Sequence, residues 1–161
     1  MARVLLGLGS NLGDRLAILE KAVAALATLG PVRRSNWFET EPVGPSLAGA
    51  PEFLNGAVAL DTEMGLADLM EWILALEQEL GREQGRRSGS RTIDIDILMA
   101  GSRVYDRDGL QVPHPRMHER AFVLKPLSEI AADAVHPGRN RSVQEMLEGT
   151  DCAGVRPFRT G

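Results

Sequence analysis

Thr92-Ile93-Asp94-Ile95-Asp96-Ile97-Leu98-Met99 alternates polar and apolar residues over its first six positions. That period predicts a β-strand with Thr92, Asp94 and Asp96 on one face and Ile93, Ile95 and Ile97 on the other. The isoleucines need an apolar layer, and a helical pattern stands just upstream. Leu66, Leu69, Met70, Ile73, Leu76 and Leu80 recur at helical spacing over 66–80, and Gly81 follows as a stop. Before that helix, 32–40 (VRRSNWFET) and 53–61 (FLNGAVALD) read as strands, separated by a Pro- and Gly-rich loop over 41–51. Residues 14–29 carry Leu16, Leu19, Val23 and Leu26 at helical spacing and end at Gly30-Pro31, and residues 3–9 (RVLLGLG) read as a buried first strand. The order βαββαβ predicts an α+β, ferredoxin-like sandwich: an antiparallel sheet with helices packed on one face. Downstream stand a hairpin near Gly101, a Pro-framed segment and a short helix over 123–131. Ser142-x-x-Glu145 then forms a capping-box pattern opening a last helix.

The chain has 161 residues, the size of one domain, so a single domain over 1–161 is expected. Its net charge of −4 gives no global basic field for nucleic acid. Aromatic residues make up 4 %, too few for a sheet that stacks bases. No apolar run nears the roughly 20 residues that span a bilayer, and the N-terminal apolar stretch is too short for a signal peptide. The lone Cys152 fits a reducing compartment. A cytoplasmic location is expected, with no membrane or nucleic-acid partner.

Against this acidic background Arg82, Arg86, Arg87 and Arg91 crowd the loop before the acidic strand. Asp94 and Asp96 stand roughly 6.6 Å apart along one strand face, a spacing that can hold hard cations such as Mg²⁺. The same pattern also describes a solvated acidic face. Guanidinia beside a carboxylate-held metal suit a polyphosphate, the metal neutralising one side of the charge and arginine the other. Taken alone, the arginines also read as a solvated loop. His114, between Pro113 and Pro115 with Arg116 and Arg120 close in sequence, suits donation to phosphate. Its spacing to His118 resembles a helical zinc pair, but the prolines oppose a helix there.

Gly7-Leu8-Gly9-Ser10-Asn11-Leu12-Gly13 misses the G-x-G-x-x-G spacing by one residue, and a P-loop motif is absent from the chain. The glycines read as a turn into the first helix, with Ser10 or Asn11 as its cap. Phe53 and Phe122 read as core residues unless they flank a flat ligand.

Several segments, in order, resemble the 6-hydroxymethyl-7,8-dihydropterin pyrophosphokinase family. The most specific are Arg91-Thr92-Ile93-Asp94-Ile95-Asp96-Ile97-Leu98 and Val112-Pro113-His114-Pro115-Arg116-Met117-x-x-Arg120-x-Phe122-Val123-Leu124. Phe38-x-Thr40-x-Pro42-x-Gly44, Phe53-Leu54-Asn55 and Glu77-x-x-x-Gly81-Arg82 support them. The resemblance implies transfer of diphosphate from ATP to the pterin hydroxymethyl group, with AMP released, in tetrahydrofolate biosynthesis. It implies two Mg²⁺ ions on Asp94 and Asp96. Arg82 and Arg91 would be catalytic, and Glu77, Arg82, Arg87, Arg91, Ile97, His114 and Arg120 would bind the nucleotide. The pterin would lie between Phe53 and Phe122, with Thr40, Val43 and Asn55 at its edge. The partners expected are these two small molecules alone, on a monomer. Glu41, Gln84, Ser88 and Ser90 depart from the family pattern, and the 82–91 loop is one residue shorter. That loop, lacking a large apolar residue, is expected to be mobile until ATP and Mg²⁺ order it.

Overall fold

The first strand forms the spine of the sheet. β1 (Ala2–Ser10) is apolar on both faces, and only a strand covered on both sides tolerates that composition. The computed structural model describes residues 1–11, 13–40, 52–82 and 93–158. Within them β1 pairs antiparallel with β4 (Phe53–Thr62) on one side and β5 (Asp94–Met99) on the other. β3 (Phe38–Thr40) and β2 (Val32–Arg34) both pair with β4. β10 (Val155–Pro157) extends the sheet beyond β3, giving the order β10-β3-β4-β1-β5. The stretch 32–40 is thus two short strands, and β10 has no counterpart in the sequence reading. A register shift between Leu5 and Leu6 turns Leu98 and Met99 to the same side.

α1 (Arg15–Leu26) and α2 (Leu66–Arg82) cover one face of the sheet. Leu19, Leu26, Leu69 and Ile73 meet Leu6, Leu8, Ile95 and Ile97 there, all buried. α2 buries the residues its spacing predicts, with Met70 half-buried. The helix cap differs from expectation: the Asp14 carboxylate, not Ser10 or Asn11, accepts the Ala17 N–H at 3.2 Å. Ser10 closes β1, so it is spent in the strand.

The expectation of helices on one face is corrected by α3 (Ala121–Ala131) and α4 (Val143–Glu148). They seal the opposite face through Val123, Leu124, Leu127, Val143 and Met146 against Leu5, Ala57, Ala59 and Leu98. α3 begins earlier than expected and contains Pro126. The capping box of α4 is present in both directions, Glu145 N–H to Ser142 and Ser142 N–H to Glu145. The hairpin expected near Gly101 lies further on, where β6 (Tyr105–Arg107) and β7 (Leu110–Val112) turn at Asp108-Gly109, and β8 (Val135–His136) with β9 (Arg141–Ser142) forms a second. Among the described residues, no helix is long and apolar enough to cross a membrane.

Candidate active site

Where the end of β1 meets its neighbours, the face that carries α3 stays open over Gly7 and Gly9. Gly9 is opposite Asn55 and Asp94, and Gly7 is opposite Ala57 and Asp96. The two glycines floor a cavity of about 190 Å³, walled by Thr40, Phe53, Asn55, Asp94, Asp96, Arg120, Phe122 and Val123. A methyl group added at Gly9 would fall 2.7 Å from Asn55 Oδ1 and 3.7 Å from Phe53 Cδ1. Gly7 and Gly9 therefore serve close backbone approach inside a strand, while the expected turn into α1 falls at Gly13, whose φ is +66°. Glycine within a strand pattern was the available signal, obscured by its likeness to a nucleotide-loop motif.

The polar edge of the cavity is pre-set. Asn55 Nδ2 donates to Thr40 Oγ1 at 2.7 Å, and both residues are buried. That bond leaves Oδ1 as the acceptor over Gly9. Phe53 and Phe122 are only half-buried and line the cavity, so the ligand-flanking alternative to a core role matches their placement. The Arg120 guanidinium lies 5.6 Å from the Phe122 ring centre. Arg15, which sequence reasoning missed, donates to Glu52 O at 2.9 Å and pairs with Glu39 at 3.0 Å. Arg156 also holds the Glu52 carboxylate. These contacts fix the residues next to Thr40 and Phe53.

The strand alternation places both Asp94 and Asp96 on the cavity side, half-buried, with Ile95 and Ile97 in the core beneath. Among the described residues, no cluster of three or more metal-ligating side chains forms. Two carboxylate donors fit a magnesium-type ion, which usually takes one or two carboxylates and fills its other positions with water and substrate phosphate. Glu77, buried on α2, accepts the Ile95 N–H at 2.8 Å and so holds β5 between the two aspartates. Neither Glu77 nor Ile97 lines the cavity; the Ile97 side chain lies in the opposite core.

His114 N donates to Leu98 O at 2.8 Å, which pins the Pro-framed turn to β5. Its Nδ1 accepts the Arg116 N–H at 3.1 Å, leaving Nε2 to carry the proton. Burial first, and then Arg120 and Arg116, push its proton affinity below the ordinary value, with Asp94 opposing. Val43, Arg87 and Arg91, and the whole loop expectation for 83–91, lie outside the described residues. Arg82 ends α2, and its side chain is outside them also.

With this geometry in place, the pattern match to the 7,8-dihydro-6-hydroxymethylpterin-pyrophosphokinase family covers residues 5–132. The chain belongs to that family. A 2-amino-4-hydroxy-6-hydroxymethyldihydropteridine pyrophosphokinase of Methylorubrum extorquens is 45 % identical over 159 residues, covering 96 % of this chain and 98 % of that one. Its namesake from Bacillus subtilis is 44 % identical over 157 residues, covering 96 % and 89 %. Among solved structures, a Plasmodium falciparum HPPK-DHPS superposes with a TM-score of 0.73 at 16 % identity. It covers 92 % of this chain and 45 % of that one, a likeness of fold. The family match spans every described wall of the cavity, from Gly7 to Val123. In this pyrophosphokinase the described motif residues therefore fall into two groups, those on the cavity and those bracing it.

Proposed function

We propose that this chain transfers diphosphate from ATP to the hydroxymethyl group of 6-hydroxymethyl-7,8-dihydropterin, releasing AMP, as a step of folate synthesis. The observation that carries the reading is one cavity joining two aromatic rings and a buried amide to a carboxylate pair and a guanidinium. At about 190 Å³ it is smaller than the roughly 300 Å³ at which drug-sized sites begin, so it suits a compact bicycle. A pterin held between Phe53 and Phe122 gains about 1 kcal/mol per ring beyond burial. Asn55 Oδ1 accepts from the pterin edge, while Thr40 keeps the amide from rotating. The family membership supports this substrate.

On the nucleotide side, Asp94 and Asp96 would hold Mg²⁺, two ions being the fuller expectation. The metal, when bound, supplies Lewis-acid neutralisation of phosphate charge. Arg120 and the neutral His114 Nε2–H donate to phosphate oxygens. Arg82 and Arg91 act on the transferring group, with Arg87, Glu77 and Ile97 on the rest of the nucleotide. Val43 completes the pterin rim. Among the described cavity residues, the titratable groups are Asp94, Asp96 and Arg120, so none stands out as a dedicated base. Rate acceleration then comes from aligning the pterin hydroxyl with the β-phosphorus and from charge neutralisation. The strand order β3-β4-β1-β5, with α1 and α2 on one face, supports the ferredoxin-like description. We read the chain as one domain acting as a cytoplasmic monomer.

Incubation with ATP, Mg²⁺ and the reduced pterin should yield AMP and a pterin diphosphate in equal amounts. Stoichiometric ADP would overturn the assignment.

A further inference from the structure

A second cavity, of about 670 Å³, opens on the other side of the His114 turn. It is walled by Pro113, His114, Pro115 and His118 on one flank and by the β8–β9 hairpin on the other, through His136, Gly138, Arg139 and Arg141. Apart from glycine and proline, every side chain lining it is histidine or arginine. On a protein of net charge −4 such a lining is a local reversal of sign. We propose that this cavity is a second anion site, taking a phosphate or diphosphate group between the Arg139 and Arg141 guanidinia and the imidazoles of His118 and His136.

The geometry carries this in three ways. Neither the Arg139 nor the Arg141 guanidinium forms a hydrogen bond or ion pair among the described residues, and both are exposed. Arginine forks match phosphate oxygens in pairs, so two unpaired forks on one hairpin make a phosphate cradle. Next, the hairpin fixes the tautomer of His136. Its Nδ1 accepts the Gly138 and Arg139 N–H groups, both at 3.1 Å, so the proton sits on Nε2. His136 is 7 % exposed, and its Nε2–H opens to the cavity, where water or an anion accepts it. Finally, the His118 and His136 rings stand edge to face with centres 6.5 Å apart, flanking the space as two further donors. Against these stand two carboxylates: Glu119 Oε1 lies 3.5 Å from His118 Nε2, and Glu145, at the start of α4, feels the Arg141 charge. Burial first, and then Arg139 and His118, hold the His136 proton affinity low, and a bound anion would oppose the charge effect.

Two sources share this chemistry, a free inorganic anion and the terminal phosphate of a nucleotide. The proposal does not rest on the pterin or metal assignments, and its failure would leave them standing. The probe is inorganic diphosphate, read by NMR at the His118 and His136 ring protons of the whole chain. Wild type should show saturable shifts at both. Arg139→Gln with Arg141→Gln should bind at least about tenfold more weakly, since one lost charged hydrogen bond already has that effect. Unchanged melting temperature in this exposed double variant separates lost binding from lost folding, and Arg120→Ala should leave the His136 shift intact. Absence of a saturable shift, or equal affinity in the double variant, overturns the proposal. A non-hydrolysable ATP analogue that displaces diphosphate and shifts His136 assigns the site to the nucleotide. If both bind together, the ligand is a free anion.

Discussion

At Gly9 one methyl group would occupy the space over which Asn55 Oδ1 presents its lone pairs, 2.7 Å away. Gly9→Ala is therefore expected to weaken pterin binding at least about tenfold, the effect of removing a single good hydrogen bond in a dry site. Some stability should be lost as well, because at 2.7 Å the buried Asn55 amide must shift against its bond to Thr40. Titration calorimetry with the pterin checks this, and unchanged affinity would remove Gly9 from the floor. Asp94→Ala and Asp96→Ala should each lower turnover by several orders of magnitude at saturating Mg²⁺ while the folded state persists. Near-normal rates in either variant would sink the metal reading. The aspartates were legible because strand alternation fixes the face of a carboxylate wherever its neighbours are isoleucine. Gly9 was not legible as a floor, because glycine marks a turn and a close approach equally well. Arg15 was hidden for another reason. Its partners Glu39 and Glu52 lie across the fold, and no local spacing encodes them.

The elements read from sequence were those with long periodic patterns, above all β5, α2 and β1. The β8–β9 hairpin and β10 are two and three residues long, too short for a period to register, and they exist through tertiary contacts. Phe158 N–H, for instance, bonds to Trp37 O at 2.9 Å just past β10. The hairpin carries a pH prediction. Burial first, then Arg139 and His118, hold His136 below its ordinary value of 6.5. A base with a lowered folded value contributes stability above 6.5 and loses it as the pH falls through the folded value. Urea midpoints should therefore drop below pH 6.5, and His136→Asn, which keeps an acceptor for the hairpin N–H groups, should flatten that drop. His114 shifts the same way, so the drop is lessened rather than removed. An identical pH profile in the variant would show that the hairpin histidine is not protonated in that range.

At the scale of the molecule, the sheet divides structure from function. Its α1–α2 face is closed by Leu19, Leu26, Leu69 and Ile73, all fully buried, and none of these four lines either cavity. The α3–α4 face is packed by Leu124 and Leu127 near the centre and stays open over Gly7 and Gly9. The first face was legible, because two helical patterns and four strands announce it. The second was not, since α3 starts from a Pro-rich segment and the motif residues there read as chemistry rather than cover. The division predicts two separate classes of variant. Leu69→Ala removes a fully buried side chain on the closed face and should cost about 2–5 kcal/mol of stability. Below its melting point that variant should keep the wild-type KM for pterin and ATP, because Leu69 itself lines neither cavity. Phe122→Ala belongs to the other class: it should weaken pterin binding far more than binding of an ATP analogue, with a smaller loss of stability because the ring is half-exposed. Pterin added at a hundred times its Kd should raise wild-type stability by about 2.7 kcal/mol. Leu69→Ala should gain the same increment and Phe122→Ala much less. Melting curves with and without pterin, run on all three proteins, make the comparison. Equal ligand increments for wild type and Phe122→Ala, or a lost increment in Leu69→Ala, would show that the two faces are not separable.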